Sequence, residues 1–347
     1  MAHRVRPTEH VDDIALAALG SWGTMGPMRS VADAFAQART HAVRHMTACD
    51  NARMRWSETS ITETVIAHAA QAVAVVPFTQ RAEARSGADW IWWWVDDTGA
   101  YGMLVQAKRV NITDGTWHFD FDYRTRSTQR LQRDVLRETA EALGVLPVYA
   151  LYLGTGDYRD WYRCSVDHQS GHCPGCEKRS ISLMPEILAC SLINDAGSTY
   201  ASSVALEEIW TPSTDVLWLS PGLKIQLSPE LSEFLRTPQE GVRAITRSMI
   251  DRVLQKRSGM FASLSPHIAT TRLGEHDQLG PVFTDVPDDT GHFGRPYFEH
   301  VLTPLLHAPP AYVMDIMADE IDEVALAATM PDNIAGVLVM RPPGAGQ

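Results

Sequence analysis

An α/β fold is predicted, and three observations predict it. Hydrophobic spacing between residues 55 and 155 switches from three- and four-residue steps to extended runs and back, in the order helix, strand, strand, helix, strand. Two runs rich in aromatic and β-branched residues flank Asp96-Asp97-Thr98-Gly99, a turn signal that makes them a hairpin. Gly144 then stops a helix directly before the apolar run 145–153, a buried strand with Pro147 near its start.

The elements follow in order. Residues 11–50 read as helical with a break at 20–27, so residues 1–54 form a helical preface. A helix is expected over 60–76, because Ile61, Val65, Ala69, Ala72 and Val76 share a face; Glu58, projected back, falls in the middle of it. Strands are expected at 89–95 and 103–110. In a tight antiparallel hairpin, Asp89 returns to the Ala107-Lys108 end of the second strand, and alternation sends Gln106 and Lys108 to one face. A helix over 126–143 carries Arg126, Arg130, Arg133 and Arg137 on one side and Leu131, Val135, Ala142 and Leu143 on the other. Beyond 155 the expected order is a Cys/His-rich loop and a helix near 182–193 (156–195), then an α+β C-terminal extension (196–347). That extension holds a basic helix near 238–257, a Pro/Gly-rich stretch at 274–311, a helix at 313–328 and a strand at 335–340.

Composition limits the function. No apolar run approaches the roughly 20 residues needed to cross a bilayer, so no membrane partner and a cytoplasmic location are expected. A net charge of −12 excludes a protein that coats nucleic acid by bulk electrostatics. Residues 104–137 and 236–257 reverse the balance, with seven Lys/Arg against four acids and six against two. They are the candidate contact surfaces.

The convergence of Asp89, Gln106 and Lys108 carries the chemical expectation. A carboxylate and an amide oxygen side by side suit a hard cation such as Mg2+ or Mn2+, which takes oxygen ligands. A lysine two residues along the same strand face can orient a water and offset charge developing on a phosphate. The segments Gly87-Ala88-Asp89-Trp90 and Val105-Gln106-Ala107-Lys108-Arg109, in this helix, hairpin, helix, strand order, resemble the PD-(D/E)XK, or restriction-endonuclease-like, nuclease superfamily. Glutamine in place of the second acid resembles the Mrr-type variant. The resemblance covers 55–155 and implies a restriction-endonuclease-like core and a DNA endonuclease, with a setting in restriction or anti-phage defence and a homodimer or partner protein of such a system. It also implies a glutamate on the first helix completing the metal site, for which Glu58 is chosen and Glu63 is the runner-up, and a supporting role for Gln132.

Competing readings attach to several of these residues. Glu63 follows Ser60 by three residues and fits a capping box. The arginine stripe, with Arg109, is either a surface for the DNA backbone or a solvated helix face. Trp90, Trp92, Trp93 and Trp94 are most simply core residues. For the whole chain the rivals are a non-catalytic nucleic-acid-binding module that keeps the nuclease fold, and a protein-interaction module.

Cys164, His168, His172, Cys173 and Cys176 crowd into thirteen positions, and Cys173-Pro174-Gly175-Cys176 has the form of a zinc knuckle. A structural Zn2+ held by Cys164, His168, Cys173 and Cys176 is expected, with His172 as the alternative histidine. Cys49 and Cys190 are expected to be buried and inert.

Overall fold

The computed structural model describes residues 30–78, 89–113, 116–124, 129–153, 174–192, 199, 202–212, 233–235, 237–262 and 301–343. Ser30 opens helix α1 (Val31–Asn51): its extended backbone brings Oγ back to accept the Asp33 N–H at 3.1 Å. Val31, Ala34, Phe35, Ala38, Ala42 and Met46 form its buried stripe at three- and four-residue steps. Helix α2 (Glu58–Ala69) begins with a reciprocal cap, in which Ser57 Oγ accepts from Ser60 N at 3.0 Å and Ser60 Oγ from Ser57 N at 3.2 Å. The expected 60–76 helix therefore starts and ends too late, and Glu63 belongs to no capping box. Residues beyond the helix form strand β1 (Val73–Pro77), because Val73, Val75 and Val76 find a strand partner some 260 residues away in sequence.

Strands β2 (Asp89–Asp96) and β3 (Gly99–Thr113) form the expected hairpin, with Trp90 opposite Val105 and Asp96 opposite Gly99. Asp96 Oδ1 accepts from both Thr98 N (2.8 Å) and Thr98 Oγ1 (2.6 Å), which closes the turn. The short strand β4 (Thr116–Phe119) folds back on the far end of β3. Helix α3 (Gln132–Leu143) starts six residues later than expected: Leu131 is in an antiparallel bridge with Arg124, and the Gln132 N–H donates to the Tyr123 carbonyl at 2.9 Å rather than to a helical partner. Gly144, left-handed at φ 66°, ends it, and Leu136 and Ala140 are its buried residues. Strand β5 (Leu146–Tyr152) returns parallel to β3, as a strand, helix, strand crossover requires.

After the short helix α4 (Pro174–Lys178), strand β6 (Ile181–Pro185) pairs antiparallel with β5 and runs into a 3-10 segment, Glu186–Leu192. The helix expected near 182–193 is thus mostly strand and 3-10 turn: a short apolar run has no periodicity of its own, and pairing with β5 decides it. The edge strand β7 (Val204–Ala205) follows, then helix α5 (Gly241–Ala262), whose Val242 N–H donates to Asp96 Oδ2 at 2.7 Å, and strand β8 (Leu305–Leu306) beside β3. The single helix expected over 313–328 is two, α6 (Ala311–Ala318) and α7 (Glu323–Thr329). Asp319 turns left-handed at φ 58° to end the first, and Asp322 caps the second. Strand β9 (Ile334–Met340) completes the described sheet.

The fold is mixed α/β, and the sheet runs β1-β9-β2-β3-β5-β6-β7. The sequence places β9 in a C-terminal extension; instead it lies between β1, to which it is antiparallel, and β2, to which it is parallel. Gly336 permits that insertion, since a Cβ there would meet Val76 O at 2.6 Å and the Trp90 ring at 2.5 Å. Trp92 and Trp94 lie against Phe35 of α1, at 6.2 and 6.1 Å between ring centroids. Trp93, on the opposite face, donates its Nε1–H to Tyr312 Oη of α6 at 2.7 Å. The sheet is therefore covered on both sides, and Trp92, Trp93 and Trp94 are core residues as expected.

Candidate functional site

Asp89, the first residue of β2, sits where the pairing with β9 slips: Asp89 is opposite Ile334 but Trp90 is opposite Gly336. Ala335 is the extra residue of this irregularity, the kind of feature that re-aims side chains at a sheet end. The Asp89 N–H donates to the Asn333 carbonyl at 3.0 Å. The carboxylate is bracketed by two carboxamides, Oδ1 accepting from Gln106 Nε2 at 2.8 Å and Oδ2 from Asn333 Nδ2 at 3.1 Å. Burial pushes its pKa up to about 7, against the opposing pull of those two donors and the Lys108 charge.

Gln106 and Lys108 alternate on β3 and share a face, as the strand period requires. Asp89, Gln106 and Lys108 are only 3, 3 and 4% exposed. Gln106 spends its NH2 on Asp89, which leaves its Oε1 buried with no hydrogen-bond partner. Lys108 Nζ donates to Gln132 Oε1 at 2.6 Å. Burial lowers the lysine's proton affinity, while Glu58, Asp120 and Asp89 favour its charged form.

Glu58, the first residue of α2, accepts the backbone N–H of Arg109 on Oε1 at 2.9 Å, which places it at this end of β3. Glu63 points to solvent. The Arg109 guanidinium lies over the Trp56 ring, 5.9 Å from its centroid, and donates to the Trp56 carbonyl at 2.8 Å. Its charge serves the chain between α1 and α2.

The remaining arginines of the stripe are engaged with carboxylates: Arg130 with Glu138, Arg133 with Asp122 at 3.5 Å, and Arg137 with the buried Glu186 at 2.9 Å. Arg126 lies outside the described residues. In α5, the second basic stretch, Arg247 turns inward to a 2.8 Å pair with Asp251, and Arg243 lies over the Phe234 ring. Among the described residues, neither stretch is a uniform cationic face.

Of the expected zinc ligands, Cys164, His168, His172 and Cys173 lie outside the described residues, and Cys176 is buried in α4. Among the described residues no group of three or more His, Cys, Asp or Glu is placed to hold a metal ion. Cys49 is half-buried rather than buried, its Sγ 3.7 Å from His45 Nε2; the Cys190 side chain is outside the described set. No helix among the described residues is long and apolar enough to cross a membrane.

Sequence reasoning missed Asn333 and Asp120. Asn333 had one weak signal, its place just before an expected strand; nothing local says that this strand would lie beside β2.

No curated protein and no solved structure matches this chain. The family described as of unknown function, DUF6615, matches residues 29–329, most of the length, and the chain belongs to that family.

Proposed function

We propose that this chain is a metal-dependent nuclease that hydrolyses phosphodiester bonds in DNA, with Asp89, Gln106, Lys108 and Glu58 as its working residues. The observation that carries the reading is the unpartnered Gln106 Oε1 beside the buried Asp89 carboxylate. A buried carboxamide oxygen without a donor is costly, and so is a buried carboxylate; a divalent cation offsets both. The donor set fits Mg2+ or Mn2+, which Asp89 and Gln106 would hold with Glu58 as the further carboxylate. The order α2, β1, β2, β3, β4, α3, β5, with the acid on β2 and Gln-x-Lys on β3, supports a restriction-endonuclease-like core.

When bound, the cation supplies positive charge to phosphoryl oxygens on which negative charge develops. In hydrolysis a water oxygen bonds to phosphorus, one P–O ester bond breaks, the water loses a proton and the leaving alkoxide gains one. Lys108 is the group suited to orient that water and to offset the charge on phosphate. Burial lowers its pKa and eases proton loss, the neighbouring carboxylates oppose that by favouring the ammonium, and Gln132 directs Nζ.

Plasmid DNA incubated with the full chain and Mg2+ or Mn2+ tests the proposal. Cleavage is expected from the wild type and a loss of about 100-fold or more in Asp89→Ala and Lys108→Ala, with circular dichroism unchanged. Wild-type protein that cuts neither DNA nor RNA with either metal would overturn it.

One observation favours a second reading, a nucleic-acid-binding module without catalysis: the three central side chains are nearly enclosed and joined in a hydrogen-bonded network. Such a module binds DNA equally well with chelator present and loses affinity steeply as salt rises.

A further inference from the structure

The two carboxamides that bracket Asp89 are not equivalent. Gln106 donates to Oδ1 from the neighbouring strand, and its own oxygen has no partner. A half-turn of that amide exchanges its nitrogen for its oxygen, so the Oδ1 side is the side at which an amide oxygen and a carboxylate oxygen can face one cation. Asn333 donates to the other oxygen, Oδ2, and its side-chain oxygen is not among the buried atoms left without a partner.

Asn333 is also held in place without using its side chain. Its carbonyl accepts the Asp89 N–H at 3.0 Å, and the Ile334 N–H closes onto the Pro331 carbonyl at 3.1 Å, turning the chain around position 333. Ile334, the next residue, is fully buried, and the extra Ala335 sets the register that brings Asn333 level with the start of β2. The carboxamide, carried on a backbone fixed by these bonds and 244 residues away in sequence, reaches one oxygen of the Asp89 carboxylate.

We propose that Asn333 is a positioning residue: its carboxamide fixes the Asp89 carboxylate through Oδ2 so that Oδ1, beside Gln106, is presented to a divalent cation. This rests on the nuclease reading above and extends it to the turn that leads into β9, which supplies the support for the Asp89 carboxylate. The physical basis is general. A carboxylate ligand turns about two side-chain bonds, and a hydrogen bond to its outer oxygen removes that freedom before the cation arrives. Loss of such outer partners commonly weakens metal affinity by about 10- to 100-fold.

The test titrates the full chain with Mn2+ alone and reads free Mn2+ by electron paramagnetic resonance, alongside the metal-free melting temperature. Wild type, Asp89→Ala, Asn333→Ala and Asn333→Gln are compared. One site abolished by Asp89→Ala is expected. Asn333→Ala should bind Mn2+ about 10- to 100-fold more weakly with a melting temperature close to wild type, because the backbone bonds at 333 survive the substitution. Asn333→Gln, which keeps an NH2 donor on a longer arm, should recover part of that affinity. Mn2+ binding by Asn333→Ala as tight as wild type would overturn the positioning role and leave the nuclease reading standing. Equal weakening in Asn333→Ala and Asn333→Gln, with equally lowered melting temperatures, would also overturn it, since Asn333 would then only support the fold. A wild type with no Asp89-dependent Mn2+ site would overturn both.

Discussion

Lys108 Nζ donates to Gln132 Oε1 across 2.6 Å, joining the middle of β3 to the first residue of α3. Gln132→Leu removes that acceptor from a buried ammonium and leaves it free to turn. We expect the rate of DNA cleavage at saturating substrate to fall by about 10- to 100-fold, with little change in the substrate concentration at half-maximal rate. Steady-state cleavage assays check this, and an unchanged maximal rate would remove Gln132 from the site.

Burial of Asp89 makes a signed prediction for pH. Burial raises its folded-state pKa to about 7, from an ordinary aspartate value of 3.8. Between those values the folded state binds more protons than the unfolded, so stability falls as pH rises through the window and the full cost is present above pH 7. Asp89→Asn carries no such charge, and a half-turn of Gln106 can offer its unpartnered oxygen to the new NH2. The variant should match wild type near pH 4 and be more stable at pH 8, by an amount on the order of 3 to 4 kcal/mol. Urea unfolding at the two pH values, in chelator, measures it; a variant less stable than wild type at pH 8 would contradict the account.

A neutral pair below the site makes a different prediction. Thr62 Oγ1 and Tyr152 Oη are 2.6 Å apart in the core, and Thr62 Oγ1 also donates to the Glu58 carbonyl at 2.9 Å. Tyr152 is then the donor to Thr62. Thr62→Val strands a buried hydroxyl and should cost about 1 to 3 kcal/mol. Adding Tyr152→Phe should restore part of that loss, and a denaturant-melt double-mutant cycle tests the coupling.

Gly336 should tolerate no side chain. A Cβ there meets the Val76 carbonyl and the Trp90 ring from both neighbouring strands, and a backbone carbonyl in a sheet cannot step aside cheaply. Gly336→Ala should destabilise by about 1 to 3 kcal/mol or more, seen as a lower thermal midpoint. A midpoint equal to wild type would show that β9 is not wedged between β1 and β2.

What sequence could determine here was local. Asp89 and Gln106 are 17 residues apart and are joined by one tight turn, so strand period and the Asp96–Gly99 turn suffice to bring them together. Glu58 and Gln132 flank that hairpin on helices with readable faces, and Gly144 marks a helix end whatever surrounds it. Tertiary structure decided the rest, because an extended apolar segment has no preference that a partner cannot override. Val73–Pro77 reads as the tail of a helix until Ile334–Met340 pairs with it, and Ile181–Pro185 reads as a helix until β5 does. Asn333 reaches Asp89 only because β9 enters the sheet beside β2, a contact spanning 244 residues that no local pattern encodes. The arginine stripe makes the same point for charge: its spacing suggests a cationic face, and the carboxylates that neutralise Arg133 and Arg137 come from neighbouring segments.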